Sequence, residues 1–92
     1  MFVSWTPRAQ AEFDGQIDYI AADNLSAAFR LRNIVLEHTR LLATAPRMGR
    51  RGRVANSYEL VIAGTRYIAV YQLRSDTVEI VRFLHGAQQY PG

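Results

Sequence analysis

Apolar residues recur at helical spacing in the first half of the chain and alternate with polar ones in the second. Ala9, Phe13, Ile17, Ile20 and Ala21 fall three or four residues apart, as one face of a helix requires. Thr6-Pro7 supplies its start, a threonine N-cap followed by a proline at the first helical position, where the missing N–H costs nothing. Asp23-Asn24-Leu25 interrupts the pattern, and Ser26 offers a second cap. Leu31, Ile34, Val35, Leu41 and Leu42 then form another stripe, which ends before Pro46. Two amphipathic helices with so short a link predict an antiparallel helical hairpin.

The remainder reads as β-structure. Tyr58 to Ala63 alternates, with Tyr58, Leu60 and Ile62 on one face. Gly64-Thr65 marks a turn, Arg66 to Leu73 a second strand, Ser75-Asp76 another turn, and Thr77 to Leu84 a third strand. Phe2-Val3-Ser4-Trp5 is a short opening strand free to join a sheet edge. The predicted class is therefore α+β: an N-terminal strand, an antiparallel helical hairpin, then a three-stranded antiparallel meander that the hairpin covers. No repeat or linker divides residues 1–92, so a single domain is expected. Gly86 to Gly92 forms a tail carrying Tyr90 and Pro91.

Composition narrows the functional classes. A chain of 92 residues that is 49% hydrophobic and 21% charged can bury a core and is not a disordered tract. No apolar run approaches the ~20 residues of a membrane span, and the opening residues lack a signal peptide's basic leader. A cytoplasmic location and no membrane partner are expected. With no cysteine and only His38 and His85, neither a disulfide framework nor a metal site is predicted, and no cofactor is implied. His38, one turn from Ile34 and beside Leu41, reads as a residue at the core boundary. The net charge of +3 favours an anionic partner. All eleven basic residues are arginine, a bias that a GC-rich genome also produces, but base composition does not explain where they cluster.

Arg47-Met48-Gly49-Arg50-Arg51-Gly52-Arg53 places four arginines and two glycines in seven residues with no acid. Such a loop concentrates positive potential and suits an anion, although a solvated basic loop has the same composition. Arg82, His85 and Tyr90 gather near one strand end. Histidine moves protons near neutrality and arginine stabilises phosphate charge, so the three would suit RNA cleavage. Equally, His85 can cap the strand and Tyr90 can pack on the sheet. Helix one carries Glu12, Asp14, Asp18 and Asp23, and helix two Arg30, Arg32 and Arg40. These suit either mutual neutralisation or a groove for an acidic partner segment.

The order of strand, hairpin, Pro46 with Met48-Gly49-Arg50, and three strands resembles the RelE/ParE superfamily of bacterial toxins. The resemblance spans essentially the whole chain. It is carried by Tyr58-Glu59-Leu60-Val61, by Gly64-Thr65-Arg66-Tyr67-Ile68 with Val70-Tyr71, and most of all by Val78-Glu79-Ile80-Val81-Arg82-Phe83-Leu84-His85-Gly86-Ala87. It implies the growth-inhibiting toxin of a type II, plasmid-stabilisation type toxin–antitoxin module. The cognate antitoxin would be a ribbon-helix-helix protein whose C-terminal segment wraps the toxin, with Arg30, Arg32 and Arg40 meeting its carboxylates. RelE-like members cut messenger RNA on the ribosome and carry basic side chains on the middle strands. The corresponding positions here, Glu59, Val61 and Ile68, carry none. ParE-like members inhibit DNA gyrase without chemistry of their own, and the resemblance leans that way. Arg47, Arg50, Arg51, Arg53 and Arg66 would then face the target. Arg82, His85 and Tyr90 would be catalytic only in a metal-independent nuclease.

Overall fold

A computed structural model describes residues 1–91. Thr6 caps the first helix as its sequence predicts: the Ala9 N–H donates to its Oγ1 at 3.1 Å, and α1 runs Pro7–Asp23. The second cap is Asn24, not Ser26. The Ala27 N–H donates to Asn24 Oδ1 at 3.0 Å, while the Asn24 N–H donates to the Ile20 carbonyl at 2.8 Å. One extended residue thus closes α1 and opens α2, Leu25–Arg40, leaving Ser26 inside the helix to accept a hydrogen bond from Arg30 at 2.9 Å. Beyond Arg40 the chain tightens into a 3₁₀ turn, Leu41–Ala43. The tighter winding brings Leu42 into the core and leaves Leu41, expected on the apolar stripe, 51% exposed.

The predicted meander is present as β3 (Tyr58–Val61), β4 (Tyr67–Arg74) and β5 (Thr77–His85). The sheet extends beyond it on both sides. The opening strand β1 (Phe2–Trp5) lies parallel against β5, and a two-residue strand β2 (Arg50–Arg51) pairs antiparallel with β3. The order is β1-β5-β4-β3-β2. β2 lacks any apolar alternation, which is why the pattern does not announce it.

The helices cover one sheet face. Ala9, Phe13, Leu31 and Val35 pack there against Leu60, Ile62, Tyr71, Val78, Ile80 and Phe83, and Trp5, Phe13 and Phe83 meet ring to ring. A smaller cluster of Ile68, Val70 and Leu84 occupies the opposite face, closed by Val81 and by Tyr90 from the tail. A bulge in β5 decides what each face receives. Val70 pairs with Arg82 but Tyr71 with Ile80, so Val81 is the extra residue. Unbroken alternation from Val78 and Ile80 would drive Arg82 into the helix-side core. The bulge resets it so that Phe83 enters and Arg82 does not. Among the described residues no helix is long and apolar enough to cross a membrane.

Candidate functional site

The arginine-rich loop folds around an acid that lies outside it. Glu59, on β3 opposite Arg50, is 1% exposed. Arg50 donates to its Oε1 at 3.1 Å, the Arg53 backbone N–H to Oε2 at 2.9 Å, and the Arg53 guanidinium to both oxygens at 3.1–3.3 Å. Burial alone would raise the carboxyl's pKa, but the Arg53 and Arg50 hydrogen bonds and charges outweigh it and hold it at about 2. Two glycines permit the approach. A Cβ on Gly49 would lie 2.8 Å from the Tyr71 hydroxyl and 2.9 Å from the Glu59 carbonyl, and one on Gly52 would strike Ser57. The Gly49 N–H donates instead to the buried Tyr71 hydroxyl at 2.9 Å.

A second acid anchors the next arginine. β1 ends its pairing when the Thr6 N–H donates to Ile80, and beyond that point α1 runs beside the open edge of β5. Glu12 takes over there, accepting the Phe83 N–H at 3.0 Å and the Arg82 guanidinium at 2.9–3.0 Å. Burial opposes its ionisation, yet Arg82, the Phe83 N–H and Arg8 together hold its pKa below the ordinary value. The Tyr90 ring joins the two pairs. The Arg53 and Arg82 guanidiniums stand 5.3 and 5.4 Å from its centroid, within cation–π range. The result is a connected row, Glu59–Arg53–Tyr90–Arg82–Glu12, that crosses the face away from the helices and ends on α1 at the edge of β5.

Of the three residues that would suit RNA cleavage, the structure brings together Arg82 and Tyr90 but not His85. The His85 ring sits edge-on to Tyr67 at 5.6 Å, and Tyr67 stacks on Phe83 in the helix-side core. Tyr90 belongs to the cluster on the other face. His85 Nδ1 accepts the Ala87 N–H at 3.2 Å, a turn-closing role. Among the loop arginines, Arg50 and Arg53 share the single carboxylate of Glu59, whereas Arg47 and Arg51 are exposed without an acidic partner among the described residues. Arg51 lies over the Tyr58 ring at 5.5 Å. Arg66 is exposed on the approach to β4. Arg30, Arg32 and Arg40 stay on the solvent side of α2, and none pairs with the acids of α1. Mutual neutralisation of the helices is therefore not what holds the hairpin.

Composition could not disclose Glu59 as the organiser of this site. The available hint was a loop of arginines with no acid, followed by a single glutamate on an otherwise apolar strand. His38 stands beside the same strand, its Nδ1 2.8 Å from the Ile34 carbonyl. With Met48, Gly49, Leu60 and Val61 it lines an open groove of about 350 Å³. Among the described residues no three histidine, aspartate or glutamate side chains converge as a metal would need.

The family model described as "ParE toxin of type II toxin-antitoxin system, parDE" matches residues 3–90. The chain belongs to the ParE toxin family. A relative in Sinorhizobium fredii, "Putative toxin Y4kP", is 37% identical over 89 residues, covering 97% of this chain and 92% of the relative. Among solved structures, the chromosomal ParDE system of P. aeruginosa superposes with a TM-score of 0.83 at 19% identity, covering 92% of this chain and 95% of that one. The YoeB/ParE toxin of Agrobacterium tumefaciens gives 0.64 at 14%, covering 92% and 98%. The E. coli RelBE complex gives 0.59 at 16%, covering 96% and 98%. At such identities these three likenesses concern the fold. That fold is the RelE/ParE arrangement expected from the strand and hairpin order, and the ParE match makes the chain a type II toxin.

Proposed function

We propose that this toxin acts by binding its target, as a ParE-like inhibitor of DNA gyrase, and that a cognate antitoxin neutralises it. The observation that carries this reading is the state of Glu59. At a strand position where an RNA-cutting relative carries a base, this chain has a buried carboxylate that consumes two of the four loop arginines. Arg82 is likewise held by Glu12. Cations locked in internal pairs are poorly placed to settle new charge on a scissile phosphate, while the exposed Arg47, Arg51 and Arg66 can still meet an acidic protein surface. Purified toxin added to a gyrase supercoiling assay should inhibit it or accumulate cleaved DNA. Undiminished supercoiling at excess toxin overturns the proposal.

A second reading, ribosome-dependent messenger cleavage, draws on the meeting of Arg53, Arg82 and Tyr90 at one patch. It requires codon-positioned cuts in a primer-extension assay that disappear in Arg82→Ala. An intact message removes it. Either way, Arg30, Arg32 and Arg40 are the side chains offered to antitoxin carboxylates.

A further inference from the structure

We propose that the toxin grips gyrase through the free edge of β3, which takes up an extended, acid-bearing segment of the target as an added strand. This rests on the gyrase reading above and specifies where and how the target attaches. The Ile62 N–H donates to the Tyr67 carbonyl at 3.0 Å, and the Gly52 N–H to the Ser57 carbonyl at 2.8 Å. Along residues 57–62 the even-numbered main-chain groups therefore face β4 and the odd-numbered ones face the β2 side. β2 is too short to cover them all, since it pairs only through Arg50 with Glu59 and Arg51 with Tyr58. Just before it the chain turns inward: the Gly49 N–H goes to the Tyr71 hydroxyl and the Met48 N–H to the Ala45 carbonyl. Val61 is left with no main-chain partner on its outer side among the described residues.

Exposed edges are ordinarily blunted by charges, prolines or bulges. Val61 carries none of these, and it is 48% exposed. With Leu60, His38 and the half-exposed Met48 it borders the groove of about 350 Å³ described above. The rim of that groove is basic. The four loop arginines have one carboxylate partner between them, Glu59, so the loop keeps a surplus of three positive charges. Open main-chain groups, an apolar groove and a basic rim together ask for an extended segment with one apolar side chain and flanking carboxylates. The charge selects the occupant. A second copy of this chain pairing edge to edge would crowd two loops of the same sign at one seam. The antitoxin, in the reading above, is met by Arg30, Arg32 and Arg40 on the solvent side of α2, which leaves the loop and this edge to the target.

The test uses the whole toxin chain with purified DNA gyrase. Amide hydrogen exchange at Val61, open in the free toxin, should slow when gyrase is added. Val61→Pro removes the outward N–H, and Val61→Glu sets an acid in the path of an acidic segment. Each should raise the toxin concentration for half-inhibition of supercoiling by at least about tenfold, the worth of a hydrogen bond or two. Arg74→Glu, a larger change of net charge at an exposed position at the far end of β4, should leave that concentration unchanged. Melting of the free toxin checks folding, and Val61→Glu carries the test where the proline variant does not fold. Unslowed exchange at Val61 in a toxin–gyrase complex that forms normally overturns this assignment alone. So does wild-type inhibition by both Val61 variants, an equal loss in Arg74→Glu, or a toxin dimer that Val61→Pro dissociates. Protection of Val61 by the antitoxin but not by gyrase gives the edge to the antitoxin and overturns it as well. Failure of the wild-type toxin to bind gyrase overturns the gyrase reading, and the edge assignment with it.

Discussion

Replacing Glu59 by glutamine tests whether the arginine-rich loop is organised by its buried carboxylate. Glutamine preserves the shape and keeps a carbonyl for the Arg53 N–H, but it removes the charge and turns an NH₂ group toward guanidinium donors. A carboxyl held at about 2 against an ordinary 4.5 corresponds to about 3 kcal/mol in favour of the folded state at neutral pH. Arg50 and Arg53 keep 60% and 41% of their side-chain surface in solvent, so screening brings the expectation for Glu59→Gln to about 2 kcal/mol. For a domain of this size that lowers the melting temperature by about 10 °C. The folded-state pKa lies below the unfolded one. The stabilisation is therefore complete above the ordinary value of 4.5 and drains away as the pH falls toward about 2. Thermal melts followed by circular dichroism should show the full gap between wild type and variant at pH 7 and a clearly smaller one near pH 3. A variant as stable as wild type at neutral pH, or a gap that does not change with pH, would refute the reasoning.

Other substitutions probe the remaining supports. Gly49→Ala places a methyl against the Glu59 carbonyl at 2.9 Å, a backbone atom with little room to yield, and should cost about 2 kcal/mol in urea unfolding. Tyr71→Phe leaves the Gly49 N–H without its acceptor and should cost about 1–2 kcal/mol by the same measurement. Asn24→Ala removes the side-chain cap of α2 and should cost about 1 kcal/mol, whereas Ser26→Ala should cost clearly less. Tyr90→Ala takes the ring from between two guanidiniums, so limited proteolysis should cut the tail faster while the melting temperature changes little.

Much of the fold could be read along the chain because its signals are local. The Thr6-Pro7 start, the stripe through Ala9, Phe13, Ile17 and Ile20, and the alternation of Tyr58, Leu60 and Ile62 each depend on neighbours within a turn or a few strand residues. The pattern points to Ser26, two residues past the cap at Asn24, because several polar residues near the link could serve, and only the chain reversal selects the one that closes both helices. Leu41 falls on the apolar stripe in sequence yet outside the core in the fold, because nothing local announces the tightening to a 3₁₀ turn.

The site depended on contacts across long stretches of chain. Arg82 meets Glu12 seventy residues away, and Arg53 meets Tyr90 across thirty-seven. Which strand lies beside β5, where the Val81 bulge resets the alternation, and which face the tail covers all follow from packing the whole chain at once. Residue order was sufficient for the two α-helices, the four longer strands and an excess of arginine, since backbone periodicity and formal charge are properties of short segments. Whether each guanidinium is free or already satisfied is a property of the folded molecule, because an ion pair depends on distance in space and on shelter from water.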